Sequence, residues 1–148
     1  MNNGSATSCK RQSGFTLIEL MVTVVIVAIL AAVAVPMYAD YVRRGKIPDA
    51  ISNLASKRVQ MEQYFQDNHS YSGSPVCDDD TATSQYFDFS CTADPTDTTY
   101  TLQAVGKNSM AGFTYTIDQD NNKATTITGV SGWTGNTSCW VTNKGGTC

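Results

Sequence analysis

The sequence predicts an α+β fold: one long N-terminal helix packed on an antiparallel sheet of about four strands, with two disulfides. Three observations lead to it. Residues Phe15 to Val35 form an apolar run whose only charge is Glu19. Apolar positions then recur at helical spacing as far as about Asp67. Beyond Asn68 the chain turns to Thr-, Tyr-, Val- and Ile-rich segments divided by turn residues, and four of its 5 cysteines lie there.

Residues 1–14 are polar and basic, with Lys10 and Arg11 and no periodicity, which fits a targeting leader. Those charges stay cytoplasmic by the positive-inside rule, so the C-terminal bulk is expected outside. Residues 15–36 follow, long enough to cross a bilayer, for which a helix needs about 20 apolar residues. An acid within such a segment costs a few kcal/mol unless something pairs with it, so Glu19 is a functional candidate; its place near the boundary equally suits a snorkelling acid. Two processing routes compete. Leu20 to Leu30 with Ala32-Val33-Ala34 suits an ordinary signal peptide released near Val35, whereas a cut before the apolar run leaves it attached.

Residues 37–148 read as one globular domain. Its first part, 37–67, is an amphipathic helix with Ile47, Ala50, Ile51, Leu54, Met61 and Phe65 on one face and Arg58 snorkelling from it. Pro36, Gly45 and Pro48 predict kinks or local unwinding, because proline removes a donor and crowds the preceding turn. Residues 68–98 are expected to be an irregular connection tied by Cys77 and Cys91, a closure worth roughly 3 kcal/mol in the loop-entropy picture. Residues 99–148 hold strands at Thr99–Val105, Gly112–Ile117 and Ala124–Thr128, with Ser138–Thr142 as the candidate fourth. Cys139 and Cys148 then close a C-terminal loop, although four cysteines allow three pairings.

Composition narrows the function. Beyond Gly14 there remain 8 bases against 13 acids, a net −5, which disfavours bulk binding to phosphate backbones. Paired cysteines imply an oxidising compartment, and the spacings C-x13-C and C-x8-C lack the close pairs of a zinc site. His69 is the only histidine, so no Cys/His nucleophile or metal site is expected, no cofactor, and no enzyme. Asp78-Asp79-Asp80 lacks the alternating acids, glycine and distal glutamate of a calcium loop and reads as a solvated turn. Of Tyr64, Phe65, Tyr71, Tyr86, Phe87 and Phe89, most are expected to pack the helix on the sheet and its loop rather than form an adhesive surface.

Gly14-Phe15-Thr16-Leu17-Ile18-Glu19, with the apolar run and Pro36 behind it, resembles the N-terminus of type IV prepilins, the long helix and disulfide-closed C-terminus agreeing. The resemblance implies that prepilin peptidase cuts between Gly14 and Phe15 and methylates the new amino terminus, Cys9 leaving with the leader. It implies assembly through Phe15, Glu19 and Pro36: the subunit waits in the inner membrane with its headgroup periplasmic, in contact with membrane lipid and the inner-membrane pilus assembly machinery. It then joins other pilin subunits in an extracellular filament, Glu19 pairing with the amino terminus of a neighbouring Phe15. YFQDNHSYSG and the terminal CWVTNKGGTC look like PilE-type pilins, often minor ones. Two alternatives accompany this reading. One is a DNA-binding minor pilin serving as an uptake receptor, for which Lys107, Lys123 and Lys144 are the candidate patch although the headgroup is acidic; the other is a type II secretion pseudopilin.

Overall fold

The computed structural model describes residues 14–148; the leader with Cys9, Lys10 and Arg11 lies outside them. One helix, α1, runs from Leu17 to Asn68 and carries the chain from one compact unit, ending at Tyr38, into a second, Ala39–Cys148. Four strands follow in the second unit: β1 (Phe87–Cys91), β2 (Thr101–Gly106), β3 (Phe113–Asp118) and β4 (Lys123–Ile127). They form one sheet in the order β1-β2-β3-β4, every pair antiparallel.

In the first unit all residues from Gly14 to Tyr38 are exposed, and the apolar 18-residue window of α1 has 0% of its residues buried. Its side chains have helical periodicity but no polar face, which is the composition of a segment whose surroundings are themselves apolar. The expected unwinding at Pro36, Gly45 and Pro48 does not occur, since α1 runs unbroken through all three. Each proline removes only one donor from the ladder. Around Pro48 the buried Ile47 and Ala50 hold the turn in place.

In the second unit α1 buries one stripe, Asp40, Ile47, Ala50, Leu54 and Met61. Against it lie the alternate residues of the strands: Phe87 and Phe89, Leu102 and Ala104, then Phe113, Tyr115 and Ile117. This is the period-2 pattern of a sheet with one face in the core. Register turns the pattern into rows. Phe89, Ala104, Tyr115 and Thr125 pair across all four strands, and each of the four is buried. The β2–β3 connection needs Gly106, because a Cβ there would run into the carbonyl of Met110. At the β3–β4 turn Asn121 takes φ 64° while the Asp118 carboxylate accepts from the amides of Asp120 (3.0 Å) and Asn122 (2.8 Å).

The sheet has four strands, but the fourth is not the expected one. Ser138–Thr142 forms no strand; β1 does, inside the stretch 68–98 expected to be irregular. The alternation Phe87-x-Phe89 carries the strand signal, and the surrounding Ser, Thr and Asp hide it. Ser138–Thr142 is held by side-chain bonds instead: the Thr125 hydroxyl donates to the Cys139 carbonyl (3.0 Å) and accepts from the Val141 amide (2.9 Å). Cys77 is bonded to Cys91 and Cys139 to Cys148, with Cα atoms 4.8 and 6.2 Å apart. The aromatics pack as expected: Tyr71, Phe87 and Phe89 are buried, and Phe65 and Tyr86 lie against them.

Candidate functional site

Glu19 sits in the first turn of α1, where an acid meets the positive end of the helix dipole. Its backbone amide donates to the Thr16 hydroxyl at 3.3 Å, and that hydroxyl reaches the Glu19 carboxylate at 3.4 Å. Thr16 thus caps the helix in the spacing Thr-x-x-Glu. Phe15, one residue earlier, is 83% exposed. The sequence reading of Glu19 did not include this cap, although Thr16 three residues before it carries the signal. Pro36 lies at the far end of the exposed apolar surface, two residues before the first unit closes.

In the second unit Asp40 is the polar exception to the buried stripe. Its carboxylate accepts from the Trp133 indole (3.1 Å) and Arg43 (3.3 Å) and pairs with Lys144 (2.5 Å) inside the Cys139–Cys148 loop. Lys144, then Trp133, holds its pKa below the ordinary value of 3.8. This acid was not singled out from the sequence, yet it stands seven residues before Ile47 on the apolar face. Asp80 ties the other disulfide loop to the helix through Lys57 at 2.9 Å, and that ammonium, followed by the Thr83 hydroxyl, lowers its pKa too. Glu62 accepts from the hydroxyls of Tyr100 (2.9 Å) and Tyr71 (3.1 Å). Burial first and the Glu62 carboxylate second raise the pKa of Tyr100.

The three lysines of the candidate DNA patch share no partner. Lys107 pairs with Asp88 at 2.6 Å and Lys144 with Asp40, so two of the three charges are neutralised locally. Lys123 lies over the Trp140 ring, 4.6 Å from its centre. Asp78 and Asp79 are exposed, and among the described residues no cluster of His, Cys, Asp or Glu is arranged to hold a metal ion.

Comparison with known proteins decides the family. Residues 9–35 match the prokaryotic N-terminal methylation motif, and residues 36–116, more than half of the chain, match a profile described as type IV minor pilin ComP, DNA uptake sequence receptor. The chain belongs to this type IV pilin family. The pilin is 43% identical over 56 residues to fimbrial protein EcpC of Eikenella corrodens, covering 38% of this chain and 37% of that one. It is 47% identical over 53 residues to a fimbrial protein of Pseudomonas aeruginosa, 36% and 34% of the two chains. With the type IV major pilin protein PilE1 of Neisseria gonorrhoeae it shares 46% over 54 residues, 36% and 33%. These matches span about a third of the length of each relative.

The structure resembles that of the non-core minor pilin PilV of Neisseria meningitidis, with a TM-score of 0.52 over 62% of this chain and 94% of that one. At 19% identity this is a likeness of fold. The α+β pilin architecture expected from the sequence is therefore the one the chain adopts.

Proposed function

We propose that this pilin is a non-enzymatic structural subunit of a bacterial type IV pilus, processed at Gly14-Phe15, methylated on Phe15 and assembled from the inner membrane. The observation that carries the reading is the exposed apolar surface of residues 15–35 lying within a matched N-terminal methylation motif. Such a surface needs an apolar environment at every stage, lipid first and the packed helices of a filament afterwards. Glu19 has a place in that sequence of environments. Before assembly its carboxylate is served by Thr16 at the helix start. In the filament it meets the amino terminus of a neighbouring Phe15, two charges that are costly apart in an apolar core. Prepilin peptidase and the inner-membrane assembly machinery are the partners this route requires.

Intact mass of the mature chain, together with its presence in sheared filaments, tests the reading. A chain beginning at methylated Phe15 and recovered from filaments supports it. A chain beginning at Val35 and found only in the soluble exported fraction ends it.

A second reading is favoured by the description of the matched profile, which names a DNA uptake sequence receptor. On that reading the headgroup binds DNA through Lys107, Lys123 and Lys144. The ion pairs of Lys107 and Lys144 leave Lys123 as the cation of the three with no acid partner among the described residues. Mobility-shift titration of the full chain in detergent separates the readings. Salt-sensitive DNA binding that falls with Lys123→Gln supports a receptor.

A further inference from the structure

Two features of the second unit are left without partners, and they lie at opposite ends of one row of the sheet. Cys91, Leu102, Ile117 and Lys123 pair in register from β1 to β4. At the β4 end a cleft of about 270 Å³ is walled by Val59, Ile117 and Trp140 and flanked by Arg58 and Lys123. Neither cation has an acid within ion-pair distance among the described residues. Arg58 is under-used in a second way: its Nε is buried without a hydrogen-bond partner, and Nη2 reaches only the Gln119 carbonyl at 3.5 Å. A buried guanidinium donor left unpaired is rare and costly. One acid, Glu62, lines the cleft itself, and it and the acids of the β3–β4 turn are already served. Glu62 accepts from two tyrosines, Asp118 from the amides of its own turn, and Asp120 from the Gln119 amide.

At the β1 end the edge strand is covered by the segment leading into the Asp80–Phe89 bridge. Around the Cys77–Cys91 disulfide that segment and the turn after β1 expose three carboxylates, Asp78, Asp79 and Asp94. None of the three side chains takes an ion pair among the described residues. Three inter-strand spacings, roughly 14 Å, separate the two ends of the row, so a single chain cannot bring its own acids to its own cations.

We propose that the Arg58/Lys123 cleft of one copy receives the Asp78-Asp79/Asp94 edge of a second copy of this chain. Complementary patches at opposite edges make a head-to-tail contact, which repeats without closing when the rotation between copies does not return to the start. Lys123 is already held for the purpose over Trp140, and the disulfide fixes the acidic edge. The inference rests on the subunit reading above and adds which headgroup surfaces meet.

The test uses the full-length chain, expressed in light- and heavy-nitrogen cells, mixed in detergent micelles and treated with a zero-length carbodiimide, which joins an amine to a carboxylate in contact. Mixed-isotope peptides joining Lys123 to Asp78, Asp79 or Asp94 are expected. Their yield should fall about tenfold in Arg58→Gln, the loss of one charge from a desolvated pair, and should fall as salt is raised. Lys123→Asp combined with Asp79→Lys should restore a mixed-isotope link in the reversed direction. Links of Lys123 confined to single-isotope peptides, or to other acids, overturn the proposed contact. Sheared filaments report separately: a chain present in filaments without the mixed link leaves the subunit reading standing and removes this contact. A chain absent from filaments removes the subunit reading, and the filament contact with it.

Discussion

The two halves of α1 are built to opposite rules on one continuous backbone. From Leu17 to Tyr38 every residue is exposed, and large apolar side chains point in all directions. From Ala39 onward the same helix buries one stripe and shows solvent a surface of Arg44, Ser52, Gln60, Gln63 and Asp67. A helix needs one apolar face to join a core and an apolar circumference to leave water altogether. The difference shows that the first half is specified by the medium around it and the second by the sheet beneath it. The effects of substitution should divide along the same line.

The largest expected effect breaks the first half. Val27→Asp places a charge in the middle of the apolar run, at a cost of about 3 kcal/mol for insertion, and should shift the chain out of the membrane fraction with the headgroup still folded. Glu19→Ala is the sharper variant. It should leave membrane insertion intact and strongly reduce recovery in sheared filaments; normal recovery would end the assembly role given to the carboxylate. Circular dichroism of the headgroup should not distinguish either variant from the parent.

The next effect breaks the second half alone. Leu54 has 0% exposure under the sheet, so Leu54→Ala should lower stability by about 2–5 kcal/mol, read by chemical denaturation, without changing membrane partition. Replacing Cys77 and Cys91 together by serine should cost about 3 kcal/mol. Non-reducing peptide mapping of the parent should show Cys77 with Cys91 and Cys139 with Cys148.

A smaller effect depends on pH. The Lys144 and Trp133 contacts lower the pKa of Asp40 in the folded chain, so the carboxylate's contribution is present above its unfolded pKa and lost as pH falls through the lower folded value. Asp40→Asn should therefore lower Tm at pH 7. The gap between parent and variant should close on acidification below about 3.8. A gap independent of pH would show that the ion pair with Lys144 is not what the Asp40 side chain contributes. The smallest effect is expected at Val59, which is 57% exposed on the helix: Val59→Ala should change headgroup stability by less than about 0.5 kcal/mol.

Much of the fold was legible because its signals are local. The buried stripe Ile47, Ala50, Leu54 and Met61 shows in the spacing alone, and so do β2, β3 and β4 to within two residues at each end. β1 was hidden because only Phe87 and Phe89 carry its alternation inside a polar stretch, and a strand of 5 residues gives periodicity little to act on. Ser138–Thr142 looked like a strand by composition, but the Thr125 hydroxyl takes the hydrogen bonds a neighbouring strand would have made. At the candidate site, Glu19 stood out because a lone acid in an apolar run is costly. The Thr16 cap was equally local and equally readable.

The sequence by itself determined the apolar run with its one acid, the amphipathic half that follows, and a domain closed by cysteines. These rest on neighbours a few residues apart, where spacing and side-chain chemistry decide the outcome. Only the tertiary structure decided that Asp40 would reach Trp133 and Lys144 some hundred residues on. It alone gave Lys107 and Lys144 of the candidate patch their acid partners, and it alone set Cys91 and Lys123 at the two ends of one row. Those relations depend on which strands pair and in what register. A buried sheet face fixes register strongly, but it does so through contacts between residues that the chain keeps far apart.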